Sequence, residues 1–419
     1  MYASGSVVKD GHPAEPRCPI WTLIELLIAC KLDSVSEDPF GDSSKDGETT
    51  ACKRREVFDE ILLHVELVFK YQQREFIFMV LFLDKYARVV RFDRSGIITS
   101  EKIDYKRDGV ELTEFLVHYA RLAPTNRGHD PTAVRISHAD PLAKQLKQHG
   151  ADAAQKAPED HVQKLFNQSL DEKWSWWKLC VRDEESEVDR WFAVGKPHFY
   201  AGGVAGRGTR GYVAVPHDDD GAAVDSTGKF VYLKDAWRVD HEGMKKEGVI
   251  LKALNAAKVP HIPTLLYHGD LDQSTKSYDM WLDYHEGKTR EGCPLKSHQH
   301  YRLVVAEVGK PLSEFENAFQ LVWALFCCIT GMCFRLLFCG VVYSSLLKAH
   351  EHACAAGYIH RDVSAGNILL YKDANGDWVG LLNDWELSKE CKDGKTQSGG
   401  RQLDRTVRSS GNATYVFSH

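Results

Sequence analysis

The stretch GYIHRDVSAGNILL, residues 357–370, sets His360, Arg361 and Asp362 side by side and places Asn367 five residues after the aspartate. The apolar run from Ile368 to Tyr371 then has the length of a short buried strand. Charge beside such a strand is costly unless it is paired or bound to a metal. Phosphoryl transfer is a chemistry that needs this set: a carboxylate near the accepting hydroxyl, and an amide oxygen close by to hold magnesium. Asp362 and Asn367 are the residues for those two tasks. A surface loop with an Arg–Asp pair is the plainer alternative, so the rest of the chain must decide.

Five more patterns bear on it. GRGTRGYV, residues 206–213, reads G-x-G-x-x-G-x-V, with Gly206, Gly208 and Gly211 free to bring backbone N–H groups close to phosphates. GYVAV alternates like a strand, which favours a hairpin over the helix start of a dinucleotide-binding turn. FVYLKDAW then puts Lys234 at the end of an apolar run, and PHDDDGAAVDSTG between the two can turn the chain. A helix is expected over about 241–258. There Glu247 shares the face of Ile250 and Leu251, while Glu242 points about 140° away. A carboxylate on a buried face needs a cation, and Lys234 is the available one. HYRLVVAEVGKPL runs from a strand into Gly309 and Pro311, a hinge with backbone groups for an adenine ring. Finally WVGLLNDWELSKE sets Asp384 just after an apolar strand, where a carboxylate would bind magnesium bridging the phosphates.

In this order the patterns resemble those of protein kinases, and the chain is similar to the fungal-type protein kinase family. GYIHRDVSAGNILL, GLLNDWELSK, GRGTR, VYLKDAWR, RVVRFDRSGIITSEKIDY and RLAPTNRGHDPT carry the resemblance over roughly residues 55–390. It implies an α+β, bilobal protein-kinase-like fold preceded by an N-terminal α+β unit, with ATP and Mg2+ as cofactors and phosphorylation of protein Ser/Thr hydroxyls. It implies Asp362 as catalytic base, Asn367 and Asp384 as metal ligands, Lys234 as the phosphate-binding lysine and Glu247 as its helix partner. Gly206, Gly208 and Gly211 match the phosphate loop. The chain departs from the pattern in three places. Ser364 stands where many Ser/Thr kinases have a lysine. Asp384-Trp385-Glu386 replaces D-F-G. After RTVRSSGNATYVFSH no A-P-E signature and no later helices follow, so an incomplete, C-terminally truncated C-lobe and weak activity are expected. AGNILL followed by Asp-Trp-Glu also resembles aminoglycoside and choline phosphotransferases, and a non-catalytic pseudokinase is the third reading.

The elements around these motifs divide the 419 residues into a flexible N-terminus (1–55), an α+β unit (56–135), a linker (136–185), a first kinase portion with hinge (186–312) and a second portion (313–419). In SLDEKWSWWKLC the clustered tryptophans are expected to be structural, since tryptophan mainly contributes buried area. The net charge of −6 calls for no nucleic-acid partner, and the eleven cysteines, without regular spacing or an export signal, suit a reducing compartment, cytoplasm or nucleus. Residues 321–343 carry one charge, Arg335, and are long enough to span a bilayer. A span there would split two pieces that must pack together and would cost about 2.5–3.5 kcal/mol for the arginine. The expectation is therefore no membrane, with an insertion at about 323–340.

Overall fold

The computed structural model describes residues 21–41, 48–156, 160–217, 229–241, 243–285, 292–329, 349–390 and 415–417. Its architecture is mixed α/β. The upstream unit starts with strand β1 (Leu27–Lys31), helix α1 (Glu48–Tyr71) and strand β2 (Phe76–Leu83). β1 and β2 pair in parallel, which requires a long crossover, and α1 supplies it. The helix begins at Glu48, eight residues before the expected start of the α+β unit at 56. Val57, Phe58, Ile61, Val65, Val68 and Phe69 form its buried stripe against the sheet. β3 (Tyr86–Asp93) folds back on β2 over Asp84 and Lys85, and β4 (Ile97–Thr99), β5 (Ile103–Asp104) and α2 (Val110–Arg121) follow.

Residues 136–185, expected as a linker, are largely built into regular structure. β6 (Ala133–Ile136), α3 (Pro141–Lys156), α4 (His161–Ser169) and β7 (Trp176–Asp183) lie in or beside this stretch. The helices there are polar, and a few apolar residues, Leu142, Ala143, Leu146 and Phe166, anchor them. Trp176 is fully buried and Trp174 stacks on Tyr71 at 4.3 Å, so these tryptophans are structural.

β8 (Val188–Val194), β9 (Phe199–Tyr200), β10 (Arg210–His217), β11 (Val231–Val239), α5 (Glu247–Ala256), β12 (Leu265–Ser274), α6 (Ser277–Tyr284) and β13 (His298–Val305) come next. They join β6 and β7 in an eight-stranded sheet of order β12-β13-β11-β10-β8-β7-β6, with β9 beside β10. A buried ion network fastens it. Arg302 donates from Nη2 to Asp130 at 2.6 Å, from Nε to Asp235 at 3.0 Å and from Nη1 to the Cys180 carbonyl at 2.6 Å. All three guanidinium nitrogens are engaged, which is the condition for burying the charge.

The remaining described elements are β14 (Lys310–Pro311), α7 (Ala318–Ile329), α8 (Ala349–Ala355), β15 (Tyr358–Ile359), β16 (Ile368–Lys372), β17 (Trp378–Leu382), β18 (Lys389–Glu390) and β19 (Tyr415–Phe417). β14, β16 and β17 form a three-stranded sheet, β15 pairs with β18, and β19 lies beside β4. α5, α7, α8 and β16 share one apolar core with Trp385. The expected insertion at about 323–340 is corrected at its start. Residues 323–329 continue α7, and Ala324, Cys327 and Cys328 are buried in that core. A Cβ on Gly380 of β17 would meet the Ala324 carbonyl at 2.1 Å, so the helix lies directly on the strand. Residues 330–340 lie outside the described residues. Among the described residues no helix is long and apolar enough to cross a membrane.

His298, at the start of β13, gives this fold a defined pH response. Its ring is buried and Nδ1 is 2.8 Å from the Lys296 carbonyl. Burial pushes its pKa down to about 4, with the hydrogen bond to the Lys296 carbonyl and the Asp93 charge opposing and the Arg94 and Lys296 charges assisting. Above pH 6.5 the ring is neutral in both folded and unfolded chains and has no effect. As pH falls from 6.5 toward 4, the unfolded chain takes a proton that the folded chain refuses, so stability falls, by about 2 kcal/mol at pH 5. Urea denaturation at pH 7.5 and pH 5 should show this loss. His298→Asn, which keeps a donor for Lys296, should reduce it by that amount, and an identical pH dependence in the variant would refute the assignment.

Candidate active site

β11 is paired on both edges, with β10 and β13, and this rigid setting fixes Lys234. Its Nζ lies 2.7 Å from Glu247 Oε2, 2.8 Å from Asp384 Oδ1 and 3.7 Å from Glu386 Oε2. Glu247 opens α5 on the inward face, as its spacing from Ile250 and Leu251 requires. Its other oxygen accepts the Trp385 backbone N–H at 3.1 Å, so one carboxylate ties the lysine to the segment after β17. Burial works against the Lys234 ammonium, but Asp384, Glu247 and Glu386 outweigh it and hold its pKa well above the ordinary value. Asp384 is half-buried, which works against its charge, yet Lys234 and Arg207 pull its pKa down to about 2, so it is a carboxylate at any physiological pH.

Arg207, between two of the loop glycines, completes the cluster. Its Nη1 pairs with Glu386 and lies 3.9 Å from Asp384. Glu386 raises its pKa further, against burial. Two cations, Lys234 and Arg207, thus face three carboxylates, Glu247, Asp384 and Glu386, one oxygen of each lying within 4.8 Å of the others. Sequence reading missed both Arg207 and Glu386. Glu386 was noted only as the residue replacing a glycine, and Arg207 only as an unspecified position between glycines.

The segment 360–367 is joined to this cluster through the backbone. The Asn367 amide Nδ2 donates to the Asp362 carbonyl at 2.8 Å and to its carboxylate at 3.2 Å. The Asn383 N–H donates to the Asn367 carbonyl at 2.8 Å. His360 is fully buried, stands edge-on to Trp385 and lies 2.9 Å from the Asn383 carbonyl through Nε2. That carbonyl accepts, so Nε2 carries the proton, and Nδ1 accepts the Asp362 N–H at 3.3 Å. Burial lowers the His360 pKa, in keeping with this neutral form. The histidine therefore clips Asp362 to the residue preceding Asp384.

The three glycines stand at different places. Gly206 and Gly208 have φ of +102° and +49°, the region that favours glycine. Gly211 lies within β10 opposite Lys234, and a Cβ there would meet the Tyr232 hydroxyl at 1.9 Å. The expected hinge, after β13, has its Val308 carbonyl 2.8 Å from His161 Nε2, and Gly309 packs on Leu369.

The chain matches the family described as Fungal protein kinase over residues 44–409, and it belongs to that family. This places it among the kinases, a class of transferases. The match takes in the upstream unit as well as the site. No curated protein matches the chain.

The charge balance is testable by stability. Lys234→Met would leave Glu247, Asp384 and Glu386 facing Arg207 alone. Removing one partner of a buried pair costs about 3–5 kcal/mol. We expect a loss of that size in urea denaturation, and a smaller one in Lys234→Met/Glu247→Leu, where the most deeply buried of the stranded carboxylates is also gone. Equal losses in the two proteins would mean that charge is not what the lysine supplies.

Proposed function

We propose that this chain is a magnesium- and ATP-dependent protein kinase of bilobal, kinase-like fold that transfers a phosphoryl group to Ser/Thr hydroxyls of a protein substrate. The observation that carries this reading is the single ammonium of Lys234 shared between Glu247 on α5 and Asp384 after β17, with the Asp362–Asn367 pair bonded to the residue before Asp384. This constellation joins three separate elements for one purpose, and phosphoryl transfer needs the same groups.

The residues fit a magnesium ion. Asp384 is ionised, the Asn367 nitrogen is committed to Asp362 so that its amide oxygen remains as an acceptor, and hard oxygens are what magnesium takes. Carboxylates outnumber cations in the cluster, which favours a further positive charge. When bound, the ion would neutralise charge on the transferring phosphates. Lys234 would hold the phosphates, kept protonated and oriented by Glu247. Asp362 would accept the proton of the substrate hydroxyl, with its carboxylate oriented by the Asn367 amide. The backbone between Val305 and Gly309 would face the adenine ring. Ser364 leaves the transferring group without a lysine, so the rate should be modest.

With Mg-ATP the full chain should melt at a higher temperature, and Asp384→Asn should abolish the shift. Labelled ATP should transfer to a mixed Ser/Thr substrate slowly, and Asp362→Asn should lower kcat by at least about a hundredfold, the scale lost when a proton acceptor is removed. A melting shift that survives in Asp384→Asn would overturn the metal assignment. Transfer that survives in Asp362→Asn would overturn the base.

A further inference from the structure

Among the described residues the upstream unit shows no cluster of metal-ligating side chains, yet one of its side chains is buried inside the glycine loop. Arg94 follows β3 in the turn that leads to β4. Its Nη1 donates to the carbonyls of Gly203 at 2.8 Å and Val204 at 3.1 Å, and its own carbonyl accepts the Gly206 N–H at 2.8 Å. The guanidinium lies over the Phe69 ring of α1 at 4.2 Å and is 1% exposed as part of the residue. Its Cζ stands 2.4 Å from where a Gly208 Cβ would be, so the absence of a side chain at Gly208 is what admits the arginine.

The turn that bears Arg94 is itself clamped. Asp93 Oδ1 accepts the Ser95 N–H at 2.9 Å, and Asp93 Oδ2 accepts the N–H groups of Lys276 and Ser277 at 3.0 and 2.9 Å, at the start of α6. Ser95 Oγ lies 2.8 Å from Thr275 Oγ1. Just past the loop, Arg210 donates to the Phe69 and Gln72 carbonyls at the end of α1 and to Gln73. The loop is thus held at both ends by the upstream unit.

A loop of glycines has few side chains with which to hold itself, and ordering it on binding costs conformational entropy. We propose that Arg94 is a positioning residue for the nucleotide, fixing the 203–208 backbone so that the upstream unit sets ATP affinity at the downstream site. The inference rests on the Mg-ATP reading above and adds the upstream unit to that site.

The test uses the full chain and titration with a fluorescent ATP analogue and magnesium, at a temperature well below melting. Wild type should bind and Asp384→Asn should not; no binding by wild type would overturn both the Mg-ATP reading and this inference. Given that binding, Arg94→Gln should raise Kd by about tenfold, equal to about 1.4 kcal/mol. Arg94→Lys, which keeps the charge and serves if the glutamine variant does not fold, should show a smaller rise. Gly208→Ala should also weaken binding, and less so in the Arg94→Gln background, because the clash with the guanidinium is then gone. A lower melting temperature with Kd unchanged in both Arg94 variants, or strictly additive effects with Gly208→Ala, would reduce Arg94 to a structural residue and overturn the proposal alone.

Discussion

A buried ammonium cannot stand without negative charge, and much of this structure follows from supplying it to Lys234. Glu247 must come from a helix whose inward face reaches β11. Asp384 must come from the segment after β17. Neither can be placed unless α5, β11 and the downstream core pack together, and Ile250, Leu251 and Leu254 on one side and Trp385 on the other share a single apolar cluster. The ion contacts are therefore the polar seam of a hydrophobic junction. Glu247 contributes twice, since one oxygen meets the lysine and the other the Trp385 N–H.

A second set of buried charges makes the upstream unit part of the same body. Arg94 and Arg210 are buried with backbone carbonyls as acceptors, and Asp93 caps α6 across the sequence. Charged groups lose less by burial when they meet several partners in fixed geometry. Such contacts leave little freedom for the upstream unit to move relative to the eight-stranded sheet. The family match, which begins at residue 44, ahead of α1, takes in this unit together with the candidate site.

The site was legible where its members sit in local patterns. Lys234 at the end of an apolar strand, Glu247 three and four residues before two buried positions, and Asp362 with Asn367 ahead of Ile368 can each be read within a dozen residues; the structure pairs Lys234 with Glu247 and ties Asn367, through Asn383, to the residue before Asp384. The position of Arg94 could not be read in that way, because its partners Gly203 and Val204 lie more than a hundred residues away. The same is true of Arg210 and Gln73. Residues 136–185 escaped because α3 and α4 bury only one narrow apolar edge, and a polar composition hides so small a stripe. The start of the apolar stretch was misjudged for the opposite reason. Its hydrophobicity reads as foreign to a kinase, whereas Ala324, Cys327 and Cys328 are buried against β17 and α8 in an ordinary way.

The Arg302 network has a consequence for how the chain comes to be folded as it is made. Asp130 and Asp235 are synthesised well before the guanidinium that neutralises both of them, and the Thr132 contact of Arg302 spans 170 residues. Until β13 leaves the ribosome, Asp130 and Asp235 lack the guanidinium that joins them, and closing the sheet around their charge is disfavoured. A half-made sheet exposes apolar faces that other chains can reach. Arg302 is thus a late arrival among the buried charges of this sheet, and the downstream elements that complete the neighbouring apolar core follow it in the chain.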